Sequence, residues 1–133
     1  MGGGESKQVS LFLDHIVCGK DGQVAIMLKK YPQLAKCEFF KGTTNPMCRA
    51  TYLGHRNIVQ LLMKYEADIN KPSQNGRTPI IWASFRDNVP MCELLLTYNP
   101  DLTIEDEDGC NALDIAITRI NYRAAKFFYD HGM

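Results

Sequence analysis

A spacing of 33 residues constrains this chain more than any other feature. The stretch Gly76-Arg77-Thr78-Pro79-Ile80-Ile81-Trp82-Ala83 ends on an alanine. Ala50 lies 33 residues before it, closing Asn45-Pro46-Met47-Cys48-Arg49-Ala50, and Ala116 lies 33 after it, closing Gly109-Cys110-Asn111-Ala112-Leu113-Asp114-Ile115-Ala116. The apolar pairs that follow keep the step, from Ile58/Val59 to Met91/Cys92 to Ala124/Ala125 and from Leu61/Leu62 to Leu94/Leu95 to Phe127/Phe128. A fixed period of this size marks like supersecondary units stacked in a row.

The unit follows from its residues. Asn75-Gly76 and Asp108-Gly109 are turn dipeptides whose glycine tolerates positive φ. Thr78-Pro79 then predicts a helix start, with a hydroxyl cap and a proline in the first turn, where no backbone donor is lost. This short helix runs through Ile80, Ile81 and Ala83 to about Phe85, and the small Ala83 admits a close neighbour. Asp87-Asn88 breaks it. A second helix from about Val89 carries Met91, Cys92, Leu94 and Leu95 on one buried face, and Tyr98-Asn99-Pro100-Asp101 ends it, because proline biases its predecessor away from the α region.

A turn plus a helix pair with these residues resembles the ankyrin repeat family. The family's Gly-x-Thr-Pro-Leu-His-x-Ala signature matches Gly76, Thr78, Pro79, Ile80 and Ala83; its mid-repeat Gly-His matches Gly54-His55; its Gly-Ala-Asp-x-Asn close matches Ala67-Asp68-Ile69-Asn70, with Glu66 in place of glycine. The resemblance covers roughly residues 10–133. It implies an all-α solenoid of about four helix-pair repeats joined by hairpin loops. The family's usual histidine is replaced by Cys48, Ile81 and Asp114, which removes a residue that normally bonds between hairpin loops. Asp114 is expected to be a capping or loop-bonded carboxylate rather than a catalytic one, and His55 a structural turn residue.

Four such units fill 133 residues and leave no room for a second domain. The expected boundaries are a flexible glycine-rich tail over 1–8 and a repeat domain over 9–133, divided into 9–39, 40–72, 73–105 and 106–133. The first repeat lacks the Thr-Pro entry and is a degenerate cap, whose outer face meets water. In it, Leu11, Phe12 and Ile16 form one helical face, Asp21-Gly22 makes the break, and Val24, Ile26, Met27 and Leu28 repeat the second-helix pattern.

Fifteen basic and fifteen acidic residues give no net charge, against a general nucleic-acid or anionic-membrane binder. Cys18, Cys37, Cys48, Cys92 and Cys110 are odd in number and form no Cys-x-x-Cys pair, which favours reduced thiols in the cytosol or nucleus. Neither a signal peptide nor a membrane-spanning apolar run is present. His15 with Cys18 alone does not make a zinc site. No cofactor is expected. Neither a nucleophile-and-base set nor a phosphate loop appears, so the chain is not expected to be an enzyme.

Met1-Gly2-Gly3-Gly4-Glu5-Ser6 also fits the N-myristoylation pattern at Gly2, a plain tail or cloning scar being the alternative. A single acyl chain would hold a membrane only reversibly. The last unit carries Ile115, Ile117, Ile120, Phe127, Phe128 and Tyr129, more apolar residues than one inner face requires. Either the domain belongs to a longer protein that covers this face, or the face is a contact site.

In the ankyrin family, partners are held by hairpin tips and by the exposed side of the first helix, which line a concave groove. Carried over, the resemblance implies tips at Lys41, Gly42 and Thr44, at Gln74, Asn75 and Arg77, and at Glu107, Asp108 and Cys110. It implies helix positions at Arg49, Tyr52 and Leu53, at Trp82, Phe85 and Arg86, and at Ile115, Thr118 and Arg119. Tyr52 and Phe85 are 33 apart and are expected to form a stripe beside Trp82, Arg49 and Arg86, residue types enriched at binding hot spots. Packing explains Trp82 as well as contact does; Phe85 and Arg86, at the helix end, favour contact. The expected partner is another protein, bound by a monomer acting as adaptor or inhibitor. The alternative is the N-terminal targeting or regulatory domain of a longer protein, membrane-associated only if Gly2 is acylated.

Overall fold

The computed structural model describes residues 3–39 and 43–133, and these form eight α-helices and no extended strand. They fall into two compact units, residues 1–68 and residues 69–133.

In the first unit, α1 (Gly3–Val17) and α2 (Asp21–Lys30) form one helix pair, and α3 (Pro46–Leu53) and α4 (Arg56–Lys64) the next. A 3-10 turn, Pro32–Lys36, follows α2. Helical backbone begins at Gly3, within the stretch expected to be a flexible tail; from Glu5 to Gln8 no proline or β-branched residue interrupts it. Phe12 and Ile16 are wholly buried, whereas Leu11 is 49% exposed. Val24 and Leu28 are likewise buried and Ile26 is 64% exposed. Both corrections have one cause: the inner stripe of a short helix follows i, i+4, and the adjacent apolar residue turns outward. Asn45 caps α3 by accepting the Cys48 N–H at 3.0 Å, with Pro46 at the first helical position. His55 has a structural contact, its Nε2 lying 3.4 Å from the Val17 carbonyl oxygen, and its ring lies where a Cβ on Gly19 would reach.

In the second unit, α5 (Pro79–Phe85) pairs with α6 (Val89–Leu96), and α7 (Ala112–Thr118) with α8 (Tyr122–Asp130). Ile81, Ala83, Met91, Cys92, Leu95, Ala116, Ala124 and Phe128 are fully buried and form the core. Burying each large apolar side chain contributes about 1.5–3 kcal/mol. Polar bonds link the two helix pairs. Ser84 donates its hydroxyl to the Ala112 carbonyl at 2.6 Å, the Asn121 amide donates to the Ser84 and Phe85 carbonyls at 3.0 Å each, and Asp87 accepts the Ala124 N–H at 2.9 Å.

Left-handed backbone recurs with the period. Gly54, Asp87 and Ile120 have φ of 79°, 54° and 59°, and Glu66, Asn99 and Gly132 have φ of 65°, 54° and 90°. The first set ends the first helix of each of the last three pairs; the second follows the second helix of the same pairs. Thr78 holds the cap position of α5 but makes no cap hydrogen bond, correcting the expected hydroxyl cap. Its side chain is packed at 1% exposure instead of reaching the first helical N–H groups. Ile117, Ile120, Tyr122 and Tyr129 are exposed on the last helix pair.

Candidate interaction site

The hairpins of the second unit are built by short bonds across their necks. Ser73 N–H donates to the Arg77 carbonyl at 2.9 Å, and Asp106 N–H donates to the Cys110 carbonyl at 2.8 Å. Gln74 and Asn75 stand exposed at one tip, Glu107 and Asp108 at the other. Glu107 N–H donates to the Asn75 carbonyl at 3.0 Å and joins the hairpins side by side. Gly76 is required there: its φ is 72°, and a Cβ would stand 3.1 Å from the Glu107 nitrogen.

Arg77, expected at a tip, instead folds over the helix behind it. Its Nε–H donates to Asp106 Oδ2 at 3.3 Å, and its guanidinium carbon lies 5.1 Å from the Trp82 ring centre and 4.8 Å from that of Phe85. Asp106 has the carboxylate chemistry to hold it, since its second oxygen accepts the N–H groups of Asp108 and Cys110 at 2.9 and 3.0 Å. Trp82 donates its indole N–H to the Ser73 hydroxyl at 2.8 Å and meets Phe85 edge to face, with centroids 5.3 Å apart. Both rings remain half-buried. Arg119, at the end of α7, brings its guanidinium carbon to 3.6 Å from the Phe85 ring centre. Arg86 follows Phe85 and is exposed, as are Thr118 and Arg119.

Ile115, expected on the open side of its helix, is buried at 4% exposure; the correction follows from α7 packing against both α5 and α8, which leaves it inside. Asp114 bears out its expected role as a cap: Asn111 accepts its N–H at 2.9 Å, and its carboxylate accepts the Asn111 N–H at 3.1 Å.

In the first unit, Arg49 and Tyr52 are half-buried on α3, the Arg49 Nε having no hydrogen-bond partner among the described residues. Thr44 pairs with Phe39 through two backbone hydrogen bonds and so sits on a hairpin arm. Lys41 and Gly42, expected at the tip, lie outside the described residues, as does Gly2. An open depression of about 470 Å³ lies between α2 and α4, lined by Asp21, Ala25, Asn57, Leu61 and Lys64.

Chemistry at two of the thiols is muted. Burial, reinforced by the Asp87 carboxylate, pushes the Cys92 thiol up to about 12, and partial burial with the Asp106 carboxylate also raises Cys110. A thiol raised in this way is a poor nucleophile at neutral pH. Among the described residues, no group of three or more His, Cys, Asp or Glu side chains converges as a metal site. No helix among them is long and apolar enough to cross a membrane.

A family model for ankyrin repeats, in three copies, matches residues 47–133. The chain belongs to the ankyrin-repeat family. Ankyrin repeats are protein–protein interaction modules, and the fold is non-catalytic. Among curated relatives, this ankyrin chain is 38% identical over 69 residues to an inactive serine/threonine-protein kinase of Mus musculus, covering 52% of the chain and 5% of the relative. It is 34% identical over 74 residues to an ankyrin repeat protein of fowlpox virus, covering 56% and 11%. It is 32% identical over 73 residues to an ankyrin repeat and SAM domain-containing protein of Rattus norvegicus, covering 54% and 8%. The chain therefore spans about a tenth or less of the length of these relatives.

The arrangement missed by sequence reasoning is the stack of Arg119 on Phe85. The 33-residue step pairs Arg119 with Arg86, and only the extra residue between 85 and 119 hinted that the later arginine could reach back to the earlier ring.

Proposed function

We propose that this ankyrin chain binds another protein through hairpin tips and the open side of its first helices, acting as an adaptor or as an inhibitor that masks its partner. The observation that carries the reading is the half-buried Trp82–Phe85 pair with arginines against it. Solvated surface seldom gathers Trp, Phe and Arg, and these residues dominate binding energy at interfaces. The Trp82 hydrogen bond to Ser73 and the Arg77 bond to Asp106 preorganise the cluster, which lowers the ordering cost of association. The protein works as a monomer in the cytosol or nucleus, where its five cysteines stay reduced thiols.

The test is a lysate pull-down with the wild-type chain beside a Phe85→Ala/Arg86→Glu variant. A protein retained by the first and lost by the second is the expected result, with cooperative thermal unfolding intact in both. Equal retention would refute the reading.

A second reading is a targeting or regulatory domain of a longer protein. The exposed Ile117, Ile120, Tyr122 and Tyr129 favour it, as does the small share of each relative that the chain spans. Acylation of Gly2 would add reversible membrane attachment, and mass spectrometry of the protein expressed with and without an N-myristoyltransferase checks it.

A further inference from the structure

We infer that the surface around Arg119 and Phe85 takes an acidic segment of a partner protein, with one carboxylate on the Arg119 guanidinium and an apolar side chain beside it on Phe85 and Trp82. This rests on the protein-binding reading and gives the partner a chemistry.

The two arginines that meet the Phe85 ring are not equivalent. Arg77 has a side chain only 14% exposed and is held by Asp106, whose side chain is wholly buried, so its charge is answered inside the fold. Arg119 is exposed, and among the described residues it makes no ion pair. Its guanidinium carbon lies over the ring at 3.6 Å from the centre, a van der Waals distance. Its side-chain N–H groups make no hydrogen bond among the described residues, and a guanidinium's N–H fork matches a carboxylate bidentately.

Four carboxylates of the same unit are occupied elsewhere. Asp106 holds Arg77 and two backbone N–H groups, Asp114 holds the Asn111 N–H, Asp87 holds the Ala124 N–H, and Asp101 holds Thr103. Arg86, exposed beside Phe85, adds positive charge to the same helix end. Positive charge next to half-buried aromatic surface selects an acidic residue in an apolar context. It does not suit a polyanion: Glu107 and Asp108 stand exposed on the adjoining hairpin, and the chain has no net charge.

Selection from a phage-displayed random peptide library tests this, using wild-type protein and the Arg119→Glu variant in parallel. Peptides enriched on the wild type should be rich in Asp and Glu next to apolar residues; those enriched on Arg119→Glu should carry Lys or Arg instead. Trp82 is the sole tryptophan, so its emission reports occupancy at this place directly. The best wild-type peptide should change that emission saturably, bind about tenfold or more weakly when its acidic residue becomes Gln, and lose that preference on Arg119→Gln.

Enrichment without acidic residues, identical pools from both proteins, no enrichment, or binding that leaves Trp82 emission unchanged would each overturn the inference. A cellular partner lost by Phe85→Ala/Arg86→Glu yet kept by Arg119→Glu would also overturn it, while leaving the protein-binding reading in place.

Discussion

Asp106 and Arg77 form an ion pair at 3.3 Å, with the carboxylate wholly out of solvent and the guanidinium nearly so. Each is committed elsewhere too, Asp106 to two backbone N–H groups of its own hairpin and Arg77 to the Trp82 and Phe85 rings. Removing the acid strands a cation in the fold and opens the hairpin neck. Asp106→Ala should therefore lower unfolding free energy by about 3 kcal/mol, measured by urea unfolding. Arg77→Ala should cost less, because Asp106 keeps its two backbone donors. Equal losses would show that the hairpin bonds contribute little.

Left-handed backbone at Ile120, φ 59°, is costly for a β-branched side chain, and this one is 79% exposed with little packing to offset it. Ile120→Gly should raise stability by about 1 kcal/mol, the relief of left-handed strain less the extra entropy of a glycine in the unfolded chain. Glu66, φ 65°, stands where the family has glycine, so Glu66→Gly should act in the same direction. A fall in melting temperature for both variants would contradict the strain argument.

Reciprocal capping by Asn111 and Asp114 is a third point of measurement. Asn111→Ala should cost about 1 kcal/mol, as a lost N-cap does. Asp114→Ala should cost a similar amount, and the double variant less than the two together, since each partner's bond depends on the same helix start. Full additivity in chemical unfolding would mean that the two bonds act independently.

Alkaline pH should expose Cys92. Its folded thiol titrates at about 12, against an ordinary 9.0, because burial and then Asp87 disfavour the thiolate. Below pH 9 both states hold the proton. Above it the unfolded chain sheds the proton first, so the folded state binds more protons and stability falls with rising pH up to about 12. Cys92→Ala should flatten that fall by one proton's worth when unfolding is followed across this range. Iodoacetamide should modify exposed Cys18 well before Cys92 in the native protein.

Periodicity made the repeat architecture legible, because Pro79, Gly76 and the Met91/Cys92/Leu94/Leu95 face each have a local physical reason to be where they are. Glu66 and Ile120 show how far that reaches: the backbone keeps its left-handed turns where the side chain argues against them, so repeat packing wins over local preference. Local pattern failed where neighbouring apolar residues compete for one face, as with Leu11 beside Phe12 and Ile115 within α7. It also failed for Thr78, a good cap residue packed inward. At the candidate site, residue types pointed to the α5 surface. The Arg77 fold-back and the Arg119 stack depend on side-chain reach between adjoining repeats, which no single-repeat pattern encodes.

The bonds joining the helix pairs of the second unit are all of similar range along the chain. Ser84 to Ala112 spans 28 residues, Arg77 to Asp106 spans 29, and both Asn121 to Ser84 and Asp87 to Ala124 span 37. None waits for a distant part of the polypeptide. During synthesis, the α5–α6 pair can complete these bonds as soon as the following helix pair has emerged, so this unit can fold vectorially with little loop-closure delay.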